Sequence, residues 1–172
     1  MAGHLSKSSL VNLRVFNRTM EKALKWNDEF EGEVVTSLEQ AVSGADVVIT
    51  CTGRDEDMME IVFADDGLYP FLKEGAIFID HTTTSFKLAK HLNESLQAKS
   101  VAFIDAPVSG GEAGAVNGIL SVMVGGDKAV LESSESLIRT YSKNITHMGK
   151  SGSGQLAKMV NQICIAGLLQ GL

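Results

Sequence analysis

Three short stretches do most to restrict what this chain can become. Asp46-Val47-Val48-Ile49-Thr50-Cys51-Thr52, Ala76-Ile77-Phe78-Ile79-Asp80 and Val101-Ala102-Phe103-Ile104-Asp105 are continuous apolar runs rich in β-branched residues. Runs without alternating polar positions suit strands covered on both faces. Helical patterns separate them. The acidic turn Gly53-Arg54-Asp55-Glu56-Asp57 opens a helix through Met58, Ile61 and Val62, and residues 85–98 form an amphipathic helix. Strand and helix in alternation predict a parallel sheet with crossover helices, a doubly wound α/β architecture.

The alternation extends both ways. Upstream, residues 2–9 read as the end of a helix, Asn12–Phe16 as a short strand, Met20–Trp26 as a helix and Glu33–Thr36 as a weak strand. Ser37 is a plausible N-cap, with Gln40 three positions on. Downstream, Leu120–Val124 reads as a strand before a double glycine, and Asp127 caps a helix through Val130, Leu131, Leu137 and Ile138. Ile145–Met148 is a last short strand, followed by a helical run from about residue 152.

With 172 residues, 44% apolar and 21% charged, the chain has the size of about one ordinary domain and enough apolar residues for a core. A net charge of −6 with no lysine- or arginine-dense run argues against nucleic acid or an anionic membrane as partner. Cys51 and Cys164 lie in apolar runs, where free cysteine acts as a small buried hydrophobe, and they make no disulfide framework. His4, His81, His91 and His147 lack metal-ligand spacing and read as surface or loop residues, so no metal site is expected. There is no signal-like start and no bilayer-length apolar segment, which points to a cytoplasmic protein.

In doubly wound sheets, ligands bind beyond the carboxyl ends of the strands. Four such ends carry polar or small residues. Asn17-Arg18-Thr19 follows the first strand without a carboxylate; Arg18 offers a planar fork for phosphate, or is a solvated turn residue. Small side chains at Thr50-Cys51-Thr52-Gly53 let a ligand lie close. The hydroxyls of His81-Thr82-Thr83-Thr84 suit a cofactor or substrate, although Thr84 or Ser85 as a helix N-cap explains part of that run. Ser109-Gly110-Gly111 presents successive backbone N–H groups and a hydroxyl to an anion, or is a tight turn that needs glycine for its backbone angles.

The final helix carries one charge. Lys158 stands in an otherwise apolar run, with Asn161 and Gln162 three and four positions on, hence on one face. Apolar residues all round mark a helix buried on most sides. A lone ammonium there either snorkels to an edge or is used by a site.

Two motifs now match a known family. Asp105-Ala-Pro-Val-Ser-Gly-Gly-Glu-Ala-Gly-Ala, with Gly118 and Met123-Val-Gly-Gly after it, resembles the substrate-binding signature of the 3-hydroxyacid dehydrogenases. That family includes 3-hydroxyisobutyrate dehydrogenase, tartronate semialdehyde reductase and the short-chain glyoxylate/succinic semialdehyde reductases, with 6-phosphogluconate dehydrogenase more distant. Gly152-Ser-Gly-Gln-Leu-Ala-Lys158-Met-Val-Asn161-Gln resembles the catalytic-lysine motif. With Asn17-Arg18-Thr19 and the threonines after Asp80, the likeness covers nearly the whole chain.

The resemblance implies a Rossmann-like domain over residues 1–151 and the first helix of an all-α domain over residues 152–172. It implies that Lys158 is the general acid/base and that Asn161 positions it. Ser109, Gly110 and Gly111 would hold the substrate carboxylate, with Gln162 as a helper. Asn17, Arg18, Thr19, Cys51, Thr52 and Thr83 would contact the cofactor, NADP in preference to NAD because of Arg18. The substrate would be a small 3-hydroxy acid or its semialdehyde, and the full-length form a homo-oligomer. Asn161 and Val124 stand where the phosphosugar enzyme has histidine and proline, which favours the small acid.

Two departures accompany the likeness. The family begins with a strand and a Gly-x-Gly-x-x-Gly turn for the pyrophosphate, and this chain shows neither. Its absence predicts unpaired strand edges in mid-sheet. The helical domain stops inside its first helix. A chain truncated at both ends is therefore expected. Two other readings remain: a non-catalytic pseudoenzyme or fragment that keeps the fold without cofactor, and an enzyme of another class whose glycine clusters bind phosphate.

Overall fold

A computed structural model of the chain describes residues 1–8 and 11–172. In chain order the elements are α1 (Ala2–Leu5), β1 (Arg14–Val15), α2 (Met20–Asn27), β2 (Glu33–Val34), α3 (Leu38–Val42), β3 (Val47–Thr50), α4 (Asp55–Phe63), β4 (Ile77–Asp80) and α5 (Phe86–Gln97). Then follow β5 (Ala102–Asp105), β6 (Val108–Ser109), α6 (Gly111–Val116), β7 (Leu120–Gly126), α7 (Lys128–Arg139), β8 (Ser142–Gly149) and α8 (Ser153–Gly171). The helix expected over residues 2–9 ends at Leu5, and Ser9 lies outside the described residues.

The three apolar runs become β3, β4 and β5, parallel and in register, so that Thr50, Asp80 and Asp105 stand level at their carboxyl ends. β7 runs antiparallel to β5 and β6 and parallel to β8. The sheet is thus mostly parallel, as expected, with its antiparallel pairings confined to β7. Side chains alternate across it. Phe78 and Phe103 face α4 and α5, packing with Met58, Val62, Leu88, Leu92 and Leu96; Ile79 and Ile104 face the opposite way, with Val122, Val124, Leu131, Ile138 and Tyr141. Each such buried side chain contributes about 1.5–3 kcal/mol.

Among the described residues, β1 and β2 pair only with each other. A cleft of about 2040 Å³ separates them from β3, lined by Leu13 to Phe16 on one side and Val47 to Ile49 on the other. The gap that the sequence predicts in mid-sheet is this cleft.

Helix starts follow their capping residues. Ser37 accepts the Gln40 N–H at 3.1 Å, Ser85 that of Leu88 at 3.1 Å and Asp127 that of Ala129 at 2.8 Å. The N-cap of α5 is therefore Ser85, and Thr84 is left for other work.

Three expectations change. Cys51 and Cys164 are exposed: Cys51 lies past the end of β3 at the cleft, and Cys164 sits on an uncovered stretch of α8. The apolar surround of α8 does not mean burial on most sides. Its buried residues are Gly154, Gln155 and Lys158, and Val160, Ile163, Leu168 and Leu169 are each more than 60% exposed, because no described element covers them. Ser109, at the head of the Ser109-Gly110-Gly111 turn, pairs with Ser121 of β7 as the end of the short strand β6, and the last strand, expected over Ile145–Met148, runs through all of Ser142–Gly149. Among the described residues no helix is long and apolar enough to cross a membrane.

Candidate active site

Two aspartates organise the carboxyl ends of the strands. Asp105 receives the Gly152 N–H on Oδ1 at 2.6 Å and the Gln155 N–H on Oδ2 at 3.0 Å, so a carboxylate on β5 caps the first turn of α8. The orphan donors and partial positive charge of a helix start suit an anion there. Burial pushes the Asp105 carboxyl up, and the N–H groups of Gly152 and Gln155 pull against that.

Beside it, Asp80 accepts Thr50 Oγ1–H at 3.0 Å and the Thr82 N–H at 2.9 Å, both on Oδ1. Its Oδ2 is buried without a partner among the described residues. Burial raises the Asp80 carboxyl to about 6, against the hydrogen bonds of Thr82 and Thr50 and helped by the charge of Asp105. Thr82 in turn accepts the Thr52 N–H on Oγ1 at 2.9 Å. The turn after β4 is thereby tied to the end of β3.

His81 corrects the reading of the histidines. His4, His91 and His147 do lie at least partly exposed, but His81 is 2% exposed. Its Nδ1 lies 2.6 Å from the Ala106 carbonyl, which only accepts, so Nδ1 donates and Nε2 accepts from the Tyr141 hydroxyl at 2.9 Å. Burial lowers its pKa to about 4 and raises that of Tyr141 well above the usual phenol range. The imidazole is a neutral cross-brace between β4 and the start of β8.

These two neighbours make opposing contributions to stability. His81 has a depressed folded pKa, so its contribution is present above its ordinary 6.5 and is lost as pH falls to about 4. Asp80 has a raised one, so its contribution is present below 3.8 and is lost as pH rises through about 6. Each spans on the order of 3 kcal/mol. The pair therefore largely cancels between pH 4 and 6.5. In Asp80→Asn the unfolding free energy is expected to climb with pH across that window more steeply than in the parent. Urea titrations at half-unit pH steps check this, and parallel curves for the two proteins would contradict it.

Lys158 lies two turns into α8, 9% exposed, with no hydrogen bond or ion pair among the described residues. Desolvation lowers its pKa from the ordinary lysine value. One turn on, the Nδ2 of Asn161 is buried and unpartnered among the described residues, whereas the tip of Lys158 still reaches solvent. Gln162 is exposed. A buried amide donor without an acceptor, on the same helical face as the lysine, is what a ligand oxygen would satisfy.

Ser109, Gly110 and Gly111 form the β6–α6 junction. Gly110 has φ 130° and Gly111 φ 61°, left-handed angles that by themselves call for glycine. Ser109 is half-buried and both glycines are exposed. No hydrogen bond joins this turn to α8 among the described residues. The link is β7, whose Ser121 pairs with Ser109 and whose Met123 and Gly125 lie under the first turn of α8.

Of the cofactor candidates, Asn17, Arg18, Thr19, Cys51 and Thr52 line the cleft, and Thr83 does not. Asn17 accepts the Thr19 N–H at 2.9 Å, shaping the turn after β1. Arg18 is 81% exposed on its side chain, with Nη1 3.8 Å from Asp57 Oδ1 at the start of α4. Thr83 projects to the surface between buried Thr82 and Thr84. The first turn of α8 is held by Asp105 and Gln155; the aspartate ending two successive apolar runs was the visible signal, whereas nothing local marked Gln155.

Residues 1–149 match the NAD binding domain of 6-phosphogluconate dehydrogenase. The chain belongs to that family. An uncharacterized oxidoreductase of Shewanella frigidimarina is 44% identical over 172 residues, all of this chain and 59% of that protein. The NAD-dependent L-serine dehydrogenase of Pseudomonas aeruginosa is 37% identical over 135 residues, 78% of this chain and 45% of its own. The structure of Mycobacterium tuberculosis 3-hydroxyisobutyrate dehydrogenase with L-serine superposes with a TM-score of 0.89 at 29% identity, covering 96% of this chain and 55% of that one. This NAD-binding domain thus spans about half to three-fifths of the proteins it resembles.

Proposed function

We propose that this chain is the cofactor-binding part of a 3-hydroxyacid dehydrogenase or reductase, with Lys158 as general acid/base. The observation that carries the reading is the buried, unpaired lysine with an unpaired Asn161 amide one turn on. Desolvation disfavours the ammonium form, which brings the amine toward the range in which it accepts a proton.

The residues present fit part of a nicotinamide dinucleotide. Arg18, Asn17 and Thr19 would hold the adenine-ribose end, with the exposed Arg18 fork favouring NADP over NAD. Cys51, Thr52 and Thr83 would flank the nicotinamide. When bound, that cofactor accepts hydride from the substrate carbon in oxidation and returns it in reduction. The Ser109 hydroxyl and the Gly110 and Gly111 N–H groups would hold the substrate carboxylate, fixing the reacting carbon. The Lys158 amine takes the proton of the substrate hydroxyl as the carbonyl forms, and gives it back in the reverse direction. Asn161 Nδ2 donates to the reacting oxygen, with Gln162 at the rim. Residues 152–172 are then the first helix of a helical domain, and the complete protein a homo-oligomer.

The relatives' names favour small 3-hydroxy acids as substrates. The test is turnover of 3-hydroxyisobutyrate and serine, with NADP and with NAD, by the protein made from its complete coding region; no turnover of either acid would sink the proposal. Arg18→Ala is expected to lower kcat/KM for NADP by about 10- to 100-fold, the worth of one charge-assisted contact, and to leave NAD nearly unchanged. An unchanged ratio would remove Arg18 from cofactor choice. A second reading, a fold that holds no cofactor, is favoured by the lack of a Gly-x-Gly-x-x-Gly turn in these 172 residues; failure of NADP to bind the complete protein would support it.

A further inference from the structure

Gln155 is fully buried, and both ends of its side-chain amide are engaged by another element. Oε1 accepts the Thr84 N–H at 3.1 Å and Nε2 donates to the Thr82 carbonyl at 2.7 Å. One side chain therefore grips the backbone on either side of Thr83, as a neighbouring strand would. Its own N–H is fixed by Asp105 Oδ2 at 3.0 Å, which leaves the residue little freedom.

The two sides of the turn are not equally secured. Thr82 has further anchors in Asp80, on its N–H, and Thr52, on its hydroxyl. Thr84 has only Gln155 on its N–H, and its buried Oγ1 has no partner among the described residues. The chain is held again at Ser85, whose N–H donates to Asp55 Oδ1 at 2.8 Å, so the Gln155 amide is what fixes Thr84 between those anchors. Lys158 lies three residues along α8 from Gln155, on the same face.

We infer that Gln155 is a positioning residue that sets the Thr83 turn and Lys158 in one fixed relation for the reaction. The inference rests on the proposed role of Lys158. A merely structural amide would give a different result, because any volume-matched replacement that leaves the fold intact would then leave the lysine as it was. Under the inference, the contact transmits geometry, and a displacement of about 1 Å at a reacting centre costs about 100-fold in rate.

Gln155→Leu fills the volume and removes both hydrogen bonds; Gln155→Glu keeps the acceptor for Thr84 and loses the donor to Thr82. In the complete protein, Gln155→Leu is expected to lower kcat by about 100-fold, with KM for the hydroxy acid changed far less. In a Lys158→Met background the same substitution is expected to add almost nothing, since its effect passes through the lysine. The second readout needs no turnover: the pH dependence of Lys158 labelling by a water-soluble acylating reagent, followed by mass spectrometry, is expected to shift in Gln155→Leu and in Gln155→Glu. Wild-type labelling profiles and kcat in folded variants would overturn the inference. So would a loss of rate that is fully additive with Lys158→Met. If Gln155→Leu does not fold, Gln155→Glu decides by the same measurements. If the wild-type protein turns over no hydroxy acid, the proposed function fails, and the labelling profile alone decides whether Gln155 governs the environment of Lys158.

Discussion

Lys158→Met in the complete protein is expected to lower kcat for hydroxy-acid oxidation by about 10²- to 10⁴-fold, the range of one positioned acid/base group. Methionine keeps the apolar stem and removes the amine. Lys158→Arg separates this role from a lysine that merely snorkels. Arginine snorkels equally well, but it stays protonated and cannot accept the hydroxyl proton. It is therefore expected to be nearly as inactive as methionine, whereas a snorkelling residue would tolerate it. The pH profile carries the sign. The parent's kcat/KM for oxidation should rise with pH as the ammonium loses its proton, along a limb lying below the ordinary lysine range because the site is desolvated. That limb should vanish in Lys158→Met. Stability should change little with it, since the amine makes no hydrogen bond or ion pair among the described residues and methionine keeps the buried stem. Thermal melts of the three proteins check this, and a variant that lost activity only by melting below the assay temperature would return Lys158 to a structural role.

The parts of the fold that could be read from the chain were those set by local pattern. Val47–Thr50, Ile77–Asp80 and Ala102–Asp105 form strands because continuous apolar runs too short for a helix, with β-branched or aromatic residues in each, suit a strand covered on both faces, and their ends fall within a few residues of the expected ones. Ser37 and Asp127 cap helices because a side-chain oxygen there meets an orphan N–H whatever the rest of the protein does.

What could not be read depends on partners far along the chain. His81 follows a strand end and looks like a loop residue; Tyr141, 60 positions later, makes it a buried brace. Gln155 is one amide in a glycine-led helix start, and its meaning comes from Thr82 and Thr84 more than 70 residues earlier. The apolar surround of α8 signals only that something should cover it, and burial requires the covering element as well as the sequence. Lys158 lies between the two cases. Its isolation among apolar residues shows in the chain, whereas its lack of a partner among the described residues shows only in the fold.

Gly154→Ala should destabilise the fold by about 1–3 kcal/mol, the range that overpacking costs. Helix propensity alone predicts the opposite sign, since alanine is favoured over glycine by about 1 kcal/mol in a helix. Contact decides. A Cβ on Gly154 would stand 2.7 Å from the Asp105 carbonyl oxygen and 2.8 Å from its carboxylate Oδ2, and closer still to the Met123 carbonyl. Two of these neighbours are sheet backbone, which cannot turn aside as a flexible side chain does. Gly125 makes the same demand from below, since its Cβ would meet Gly154 N at 2.7 Å and Asp105 Oδ1 at 2.6 Å. Backbone therefore meets backbone where α8 lands on β5 and β7. To admit the methyl group the helix must lift, stretching the Asp105 bonds to the Gly152 and Gln155 N–H groups; bonds to a charged acceptor are each worth about 1.5–3 kcal/mol. Gly167 lies on the same helix, and a Cβ added there would meet nothing within 4 Å. Gly167→Ala in this 172-residue chain should therefore stabilise by up to about 1 kcal/mol. Urea denaturation of the two variants is the measurement. Shifts of opposite sign are expected; shifts in the same direction would mean that α8 does not rest on the sheet through Gly154.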